Sequence, residues 1–184
     1  FAFAASRSGV MPSAFITWFQ AVMACRASGK RLISTEEWFV ASAGTEDPGA
    51  SSGAGGACLT QSTALRETGR GASCASIWGV QDMIGNLAEW TGEWYAGVGN
   101  EMLDSIGLMH SAWPMTYGAD GTFNIRSSVS TEPTDMLRPV GAPSAAARGG
   151  YRNDGVAAGI FGIRLNYAPS FSLPAVGFRC VIPR

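Results

Sequence analysis

Charge is the first thing this chain is short of. Only 15% of its 184 residues are charged, and 13 basic against 14 acidic side chains leave a net charge of −1. A nucleic-acid binder needs a basic face to neutralise phosphates, and this composition supplies none. Histidine is nearly absent, with His110 the only one. A facial metal triad needs at least two, so His110 reads as a solvated loop residue. No Gly-x-Ser-x-Gly elbow accompanies it, which excludes the hydrolase reading. No apolar run approaches the roughly 18 residues of a membrane span, so direct membrane insertion is not expected. The chain opens at Phe1 rather than Met, and a preceding N-terminal part with any signal peptide is expected.

Cysteine is sparse but even in number: Cys25, Cys58, Cys74 and Cys180, with none between the last two. The count permits disulfides without requiring them. Cys58 and Cys74 lie in a Gly/Ser-rich stretch where a free thiol has no packing role. A bridge there would add about 3 kcal/mol in the chain-entropy picture, and the sequence leaves its formation open. Cys25 falls on a helix and Cys180 on a strand, where buried free thiols are the expectation.

What the chain does have is apolar surface, at 46% of residues, and 24 glycines. A single domain of this size can bury a real core, and so many glycines imply many turns. Two capping boxes announce helices. Thr17-Trp-Phe-Gln20 opens one whose apolar stripe (Ala21, Val22, Cys25) runs to a stop at Gly29. Ser34-Thr-Glu-Glu37 opens another through Trp38, Val40 and Ala41 to Gly44. Residues 45–77 read as a long surface loop. From Ile77 to Tyr95 three tryptophans, Trp78, Trp90 and Trp94, suggest a packed aromatic centre. Residues 96–146 carry no secure pattern.

The end of the chain turns to strands. Phe161, Ile163 and Leu165 alternate with Gly162, Arg164 and Asn166. Later Val176, Phe178, Cys180 and Ile182 alternate with Gly177, Arg179 and Val181. The first alternation puts Arg164 and Asn166 opposite a core face, and the second makes 176–182 a central strand. Helices first and strands late give an α+β domain spanning 1–184.

Three stretches carry a resemblance: Gly29-Lys-Arg-Leu-Ile-Ser-Thr-Glu-Glu-Trp38, Gly79-Val-Gln-Asp-Met-Ile-Gly-Asn-Leu-Ala-Glu-Trp90, and Arg148-Gly-Gly with Gly177-Phe-Arg179. In this order they are similar to the formylglycine-generating-enzyme group of C-type-lectin-like folds (the FGE-sulfatase type). Ala158-Gly-Ile-Phe161, Ala168-Pro-Ser170 and Val176-Gly-Phe-Arg-Cys180 further resemble the variable proteins of diversity-generating retroelements. There a lectin-like scaffold carries a C-terminal region, here about 149–180, that is rewritten at adenines. The resemblance implies a hypervariable receptor-recognition protein at a cell surface or on a virion.

Fold does not choose between enzyme and binder, but chemistry does. The resembled oxidases hold copper with two cysteines after the Gly-Gly, because a soft metal needs thiolates. Asp154 and Gly159 stand at those positions, so oxidase activity is not expected. The same enzymes bind calcium at positions matching Asp82, Gly85, Leu87 and Glu89, through two side chains and two carbonyls. Calcium wants six to eight oxygen ligands, and only these four are visible. The alternative is that Glu89 bonds within the turn around Gly85-Asn86 and Asp82 faces solvent.

The residues placed where the family varies are Tyr151, Arg152, Asp154, Val156, Ala157, Arg164, Asn166, Tyr167, Phe171, Leu173, Pro174 and Ala175. They are expected to form a solvent-exposed patch for a protein or cell-surface receptor. Tyr, Phe and Arg suit such a role because they bring rigid contact area at low entropic cost. Against this, Tyr167, Phe171 and Leu173 would serve equally as core of a lectin-like sheet.

Overall fold

The computed structural model describes residues 3–46, 58–96, 114–117, 123–125 and 143–183. Helix α1 (Trp18–Ala27) starts at the Thr17 box, with Gln20 N–H on the Thr17 hydroxyl and Thr17 N–H on Gln20 Oε1. It ends at Gly29, where φ is +68°, a conformation in which a side chain would be strained. Its inner face buries Ala21, Ala24 and Cys25. Helix α2 (Thr35–Ala41) starts at the Ser34 box and buries Trp38 completely. Both helices begin where the capping residues require, since each box satisfies two otherwise orphaned amides.

Among the described residues the strands form two sheets and a separate antiparallel pair. Strand β1 (Arg31–Leu32) pairs antiparallel with β8 (Cys180–Val181). The larger sheet has β2 (Ala88–Ala96) and β5 (Pro143–Arg148) at its centre, flanked by β6 (Ile163–Tyr167) and β7 (Val176–Phe178). Its pairs are antiparallel except β2 with β7. Strands β3 (Pro114–Tyr117) and β4 (Phe123–Ile125) form a separate antiparallel pair. The main core joins Trp90, Tyr167, Val176 and Leu32 to Ala145 and Ala147, whose small side chains leave room for the Trp90 indole.

Four expectations are corrected. Residues 176–182 are not one central strand: β7 lies at the sheet edge, and the chain breaks at Arg179 before joining β1. The Arg179 carbonyl accepts the Ile33 amide and its side chain turns to Glu89, which ends the regular pairing. Cys25 and Cys180 are not free thiols, because pairing of β1 with β8 brings their Cα atoms within 5.6 Å and they form a disulfide. Of the three tryptophans only Trp90 is core; Trp94 is 41% and Trp78 64% exposed. The stretch 45–77 is not all surface, since Cys58, Leu59, Thr60 and Cys74 are buried. The Cys58–Cys74 bridge, left open by the sequence, is formed, and it packs with Ile84 and Ala158 in a second small core.

Candidate recognition surface

The C-terminal segment is fixed at its start by two glycines. A Cβ on Gly149 would lie 2.4 Å from the Met83 carbonyl oxygen, and one on Gly150 2.6 Å from Ala158 Cα. This close approach lets the chain leave β5 and fold into a turn. The Asp154 amide donates to the Tyr151 carbonyl at 3.0 Å, and Asp154 Oδ2 accepts the Tyr151 amide at 2.9 Å. A single 3-10 turn, Gly155–Ala157, follows. The Gly155 amide donates to the Thr60 carbonyl at 2.8 Å, tying that turn to the loop closed by Cys58–Cys74.

Arg152 ties the same loops from the other side. Its carbonyl accepts the Ser62 amide, its Nε donates to the Thr63 carbonyl, and its Nη1 donates to the Pro174 carbonyl at 3.0 Å. Arg164 is clasped between aromatic faces, with Cζ 5.4 Å from the Tyr151 ring centroid and 5.7 Å from that of Tyr167. Its Nη2 donates to Asp154 Oδ1. Burial works against the Arg164 charge, but the Asp154 hydrogen bond and the nearby carboxylate and phenols outweigh it and hold its pKa above the ordinary value. Burial also raises the Tyr167 phenol above its usual range.

The strand parity read from sequence fails here for a definite reason. Ala145 pairs with Tyr167 and Ala147 with Arg164, so Ala146 alone stands opposite Leu165 and Asn166. This β-bulge adds one residue to β6 and brings Arg164 and Tyr167 to one side. Tyr167 is 5% exposed and sits in the main core against Trp90. Phe161 and Ile163, expected to face the core, are 73% and 39% exposed. Sequence reasoning missed both, since alternation tells two faces apart without saying which one is covered.

The expected patch is therefore divided. Val156 and Ala157 are exposed on the 3-10 turn. Tyr151, Phe171 and Leu173 are half-buried, each with one side against the core. Arg152, Asp154, Arg164 and Pro174 belong to the supporting bonds described above. Tyr167 and Ala175 are buried and are corrected from free surface to core. The backbone of Asn166 lies within the bulge. His110 falls outside the described residues.

The two carboxylates among the four calcium positions face guanidinium groups. Glu89 receives Arg179 through two hydrogen bonds, at 2.7 and 3.0 Å, and the Trp38 indole at 2.9 Å. Neither part of the alternative holds: Glu89 bonds outside the Gly85-Asn86 turn, and Asp82 is buried rather than solvated. Asp82 Oδ2 accepts the Gly69 amide, and Oδ1 faces Arg66 at 3.7 Å. The Gly85 amide donates to the Gly149 carbonyl, and Leu87 packs against Gly177. Asp82 Oδ1 is buried without a hydrogen-bond partner among the described residues, and a calcium ion at these two carboxylates would compete with the guanidinium groups of Arg66 and Arg179. Among the described residues no three His, Cys, Asp or Glu side chains gather to hold a metal.

This arrangement, a mostly antiparallel sheet with two leading helices and a C-terminal segment looped over one end, is a C-type-lectin-like α+β domain. The family model of the sulfatase-modifying factor enzyme 1-like domain (FGE-sulfatase) matches residues 4–184, and the chain belongs to that family. Among solved structures it is similar to the U1 and M1 variants of Major Tropism Determinant, each with TM-score 0.58 and 22% identity. Those matches cover 89% of this chain and 36% of theirs, so the chain spans about a third of their length. It is also similar to Treponema denticola variable protein 1, with TM-score 0.58 and 18% identity over 98% of this chain and 74% of that one. No curated protein sequence matches the chain.

Proposed function

We propose that this domain is a recognition protein, diversified by a retroelement, that binds a protein or cell-surface receptor through the segment 149–175 and catalyses no reaction. The observation that supports this best is the separation of contact from support. Val156 and Ala157 project from a turn whose backbone is tied to Thr60 and whose neighbours Arg152, Asp154 and Arg164 spend their polar groups on each other and on backbone carbonyls. Exposed side chains on a rigid, internally satisfied base can change without disturbing packing. Arg164 is neutralised by Asp154, so the surface is mainly apolar and aromatic, which suits a protein partner.

An oxidase of the family's enzymatic kind would need a pair of thiolates. Asp154 and Gly159 occupy those positions, and all four cysteines are bound in disulfides. The tropism determinants and the variable protein among its structural relatives fit the binding reading by name. Among the described residues no helix is long and apolar enough to cross a membrane.

The test is to randomise Tyr151, Val156, Ala157, Phe171 and Leu173 together, display the library on phage and select it against lysozyme as a model antigen. The reading predicts folded variants that bind lysozyme while the parent does not. A library whose members are mostly unfolded, or that yields no binder, would contradict it.

A further inference from the structure

We propose that the recognition surface continues beyond the C-terminal segment onto the outward face of α2, and that one protein partner covers both. This rests on reading 149–175 as the recognition surface. The link is Phe161, whose ring meets that of Phe39 with centroids 5.5 Å apart, both rings open to solvent at 73% and 40%. Val40 follows at 59% exposure, and the Trp78 indole, 64% exposed, is pinned by its N–H to the Val40 carbonyl at 2.9 Å. On the other side the 3-10 turn comes against Gly162, where an added Cβ would stand 3.1 Å from the Ala157 carbonyl oxygen. Val156, on that turn, is 72% exposed.

Single exposed apolar residues are ordinary, but a connected band of Phe161, Phe39, Val40 and Trp78, with exposed Val156 on the turn against Gly162, is not. The band is also held still. Buried Trp38 and the Ser34 box fix α2, and Phe161 rests against it through the Phe39 ring. Rigid aromatic groups lose little entropy on binding and are the usual anchors of an interface.

The partner's chemistry follows from the band's edge. Glu36 is exposed and lies three and four residues before Phe39 and Val40, on the same helix face. Its carboxylate accepts only the Ser34 hydroxyl, at 3.0 Å, and forms no ion pair among the described residues. The surface therefore fits a protein that presents an apolar knob flanked by Lys or Arg. Phe39 and Val40 then supply affinity common to every version of the domain, and the C-terminal turn selects among partners.

The experiment selects a phage-displayed library of helical miniproteins on the whole wild-type domain. Each clone is then measured against Val156→Ser, Phe161→Ser, Phe39→Ser, Val40→Ser and Glu36→Lys, with thermal midpoints confirming that every variant is folded. Clones should carry aromatic or aliphatic residues beside Lys or Arg, and lose about tenfold or more in affinity on Phe39→Ser and Val40→Ser as well as on Val156→Ser. Clones that weaken on Val156→Ser and Phe161→Ser but bind the Phe39 and Val40 variants normally would end the surface at the C-terminal segment and leave the proposed function intact. Clones indifferent to all five variants would overturn both. A concentration-dependent dimer, dissolved by Phe39→Ser in sedimentation, would make the occupant a second copy and overturn the proposal.

Discussion

Arg179 donates two hydrogen bonds to the Glu89 carboxylate, Nη2 to Oε1 at 2.7 Å and Nε to Oε2 at 3.0 Å. The pair joins the end of β7 to β2 where both enter the core, and Trp38 of α2 completes the carboxylate's shell. Truncating one partner of such a pair strands a buried charge. Arg179→Met should lower stability to urea by about 3 kcal/mol. Adding Glu89→Gln to it should recover part of the loss, because the stranded charge is then gone.

The same pairing bears on calcium. An ion that bound only the folded domain would raise its melting temperature. With both carboxylates facing guanidinium groups, melting curves in millimolar calcium and in chelator should coincide. A clear upward shift with calcium would mean that Arg179 or Arg66 gives way to the ion.

The two disulfides should differ in weight. Cys25–Cys180 spans 155 residues and Cys58–Cys74 spans 16. In the chain-entropy picture their removal costs about 5 and about 3 kcal/mol respectively. Calorimetry of the Cys25→Ser/Cys180→Ser and Cys58→Ser/Cys74→Ser variants should show the first to be the less stable.

Contact and support should separate on substitution. Tyr167→Ser empties a place in the main core beside Trp90 and should cost about 3–5 kcal/mol. Val156→Ser, on the exposed turn, should change stability by no more than about 0.5 kcal/mol. Equal losses in urea titrations would show that the turn packs as core.

Ionisation of Tyr167 adds a pH signature. Burial raises its folded pKa, so folding favours the neutral phenol. The stability this contributes is complete below the unfolded value of about 10 and fades as pH rises through the higher folded value. The fall in melting temperature from pH 9 to 11 should be shallower in Tyr167→Phe than in wild type.

Local signals were the legible part of this sequence. Both helix starts could be read from Thr17 and Ser34, because a capping box is written in four consecutive residues. The α+β class followed from helices early and strands late in the chain, and the family from the order of short motifs such as Gly79 to Trp90. Pairings between distant residues were not legible. Nothing near Cys25 names Cys180, and nothing near Glu89 names Arg179, 90 residues away. The site was half readable for the same reason. Residues 149–180 were singled out, but alternation put Arg164 away from the core and Phe161 and Ile163 toward it. The extra residue in β6 that brings Arg164 and Tyr167 to one side leaves no mark in the sequence.

The central claim is that this domain's C-terminal surface is a diversified recognition surface, and sequencing the DNA around its gene tests that most directly. The account predicts a reverse transcriptase gene nearby, together with a near-copy of the segment encoding residues 149–180 that differs from it at adenine positions. Codons for exposed contacts such as Val156 should be among the differing ones. A locus with neither the near-copy nor the reverse transcriptase would contradict the account.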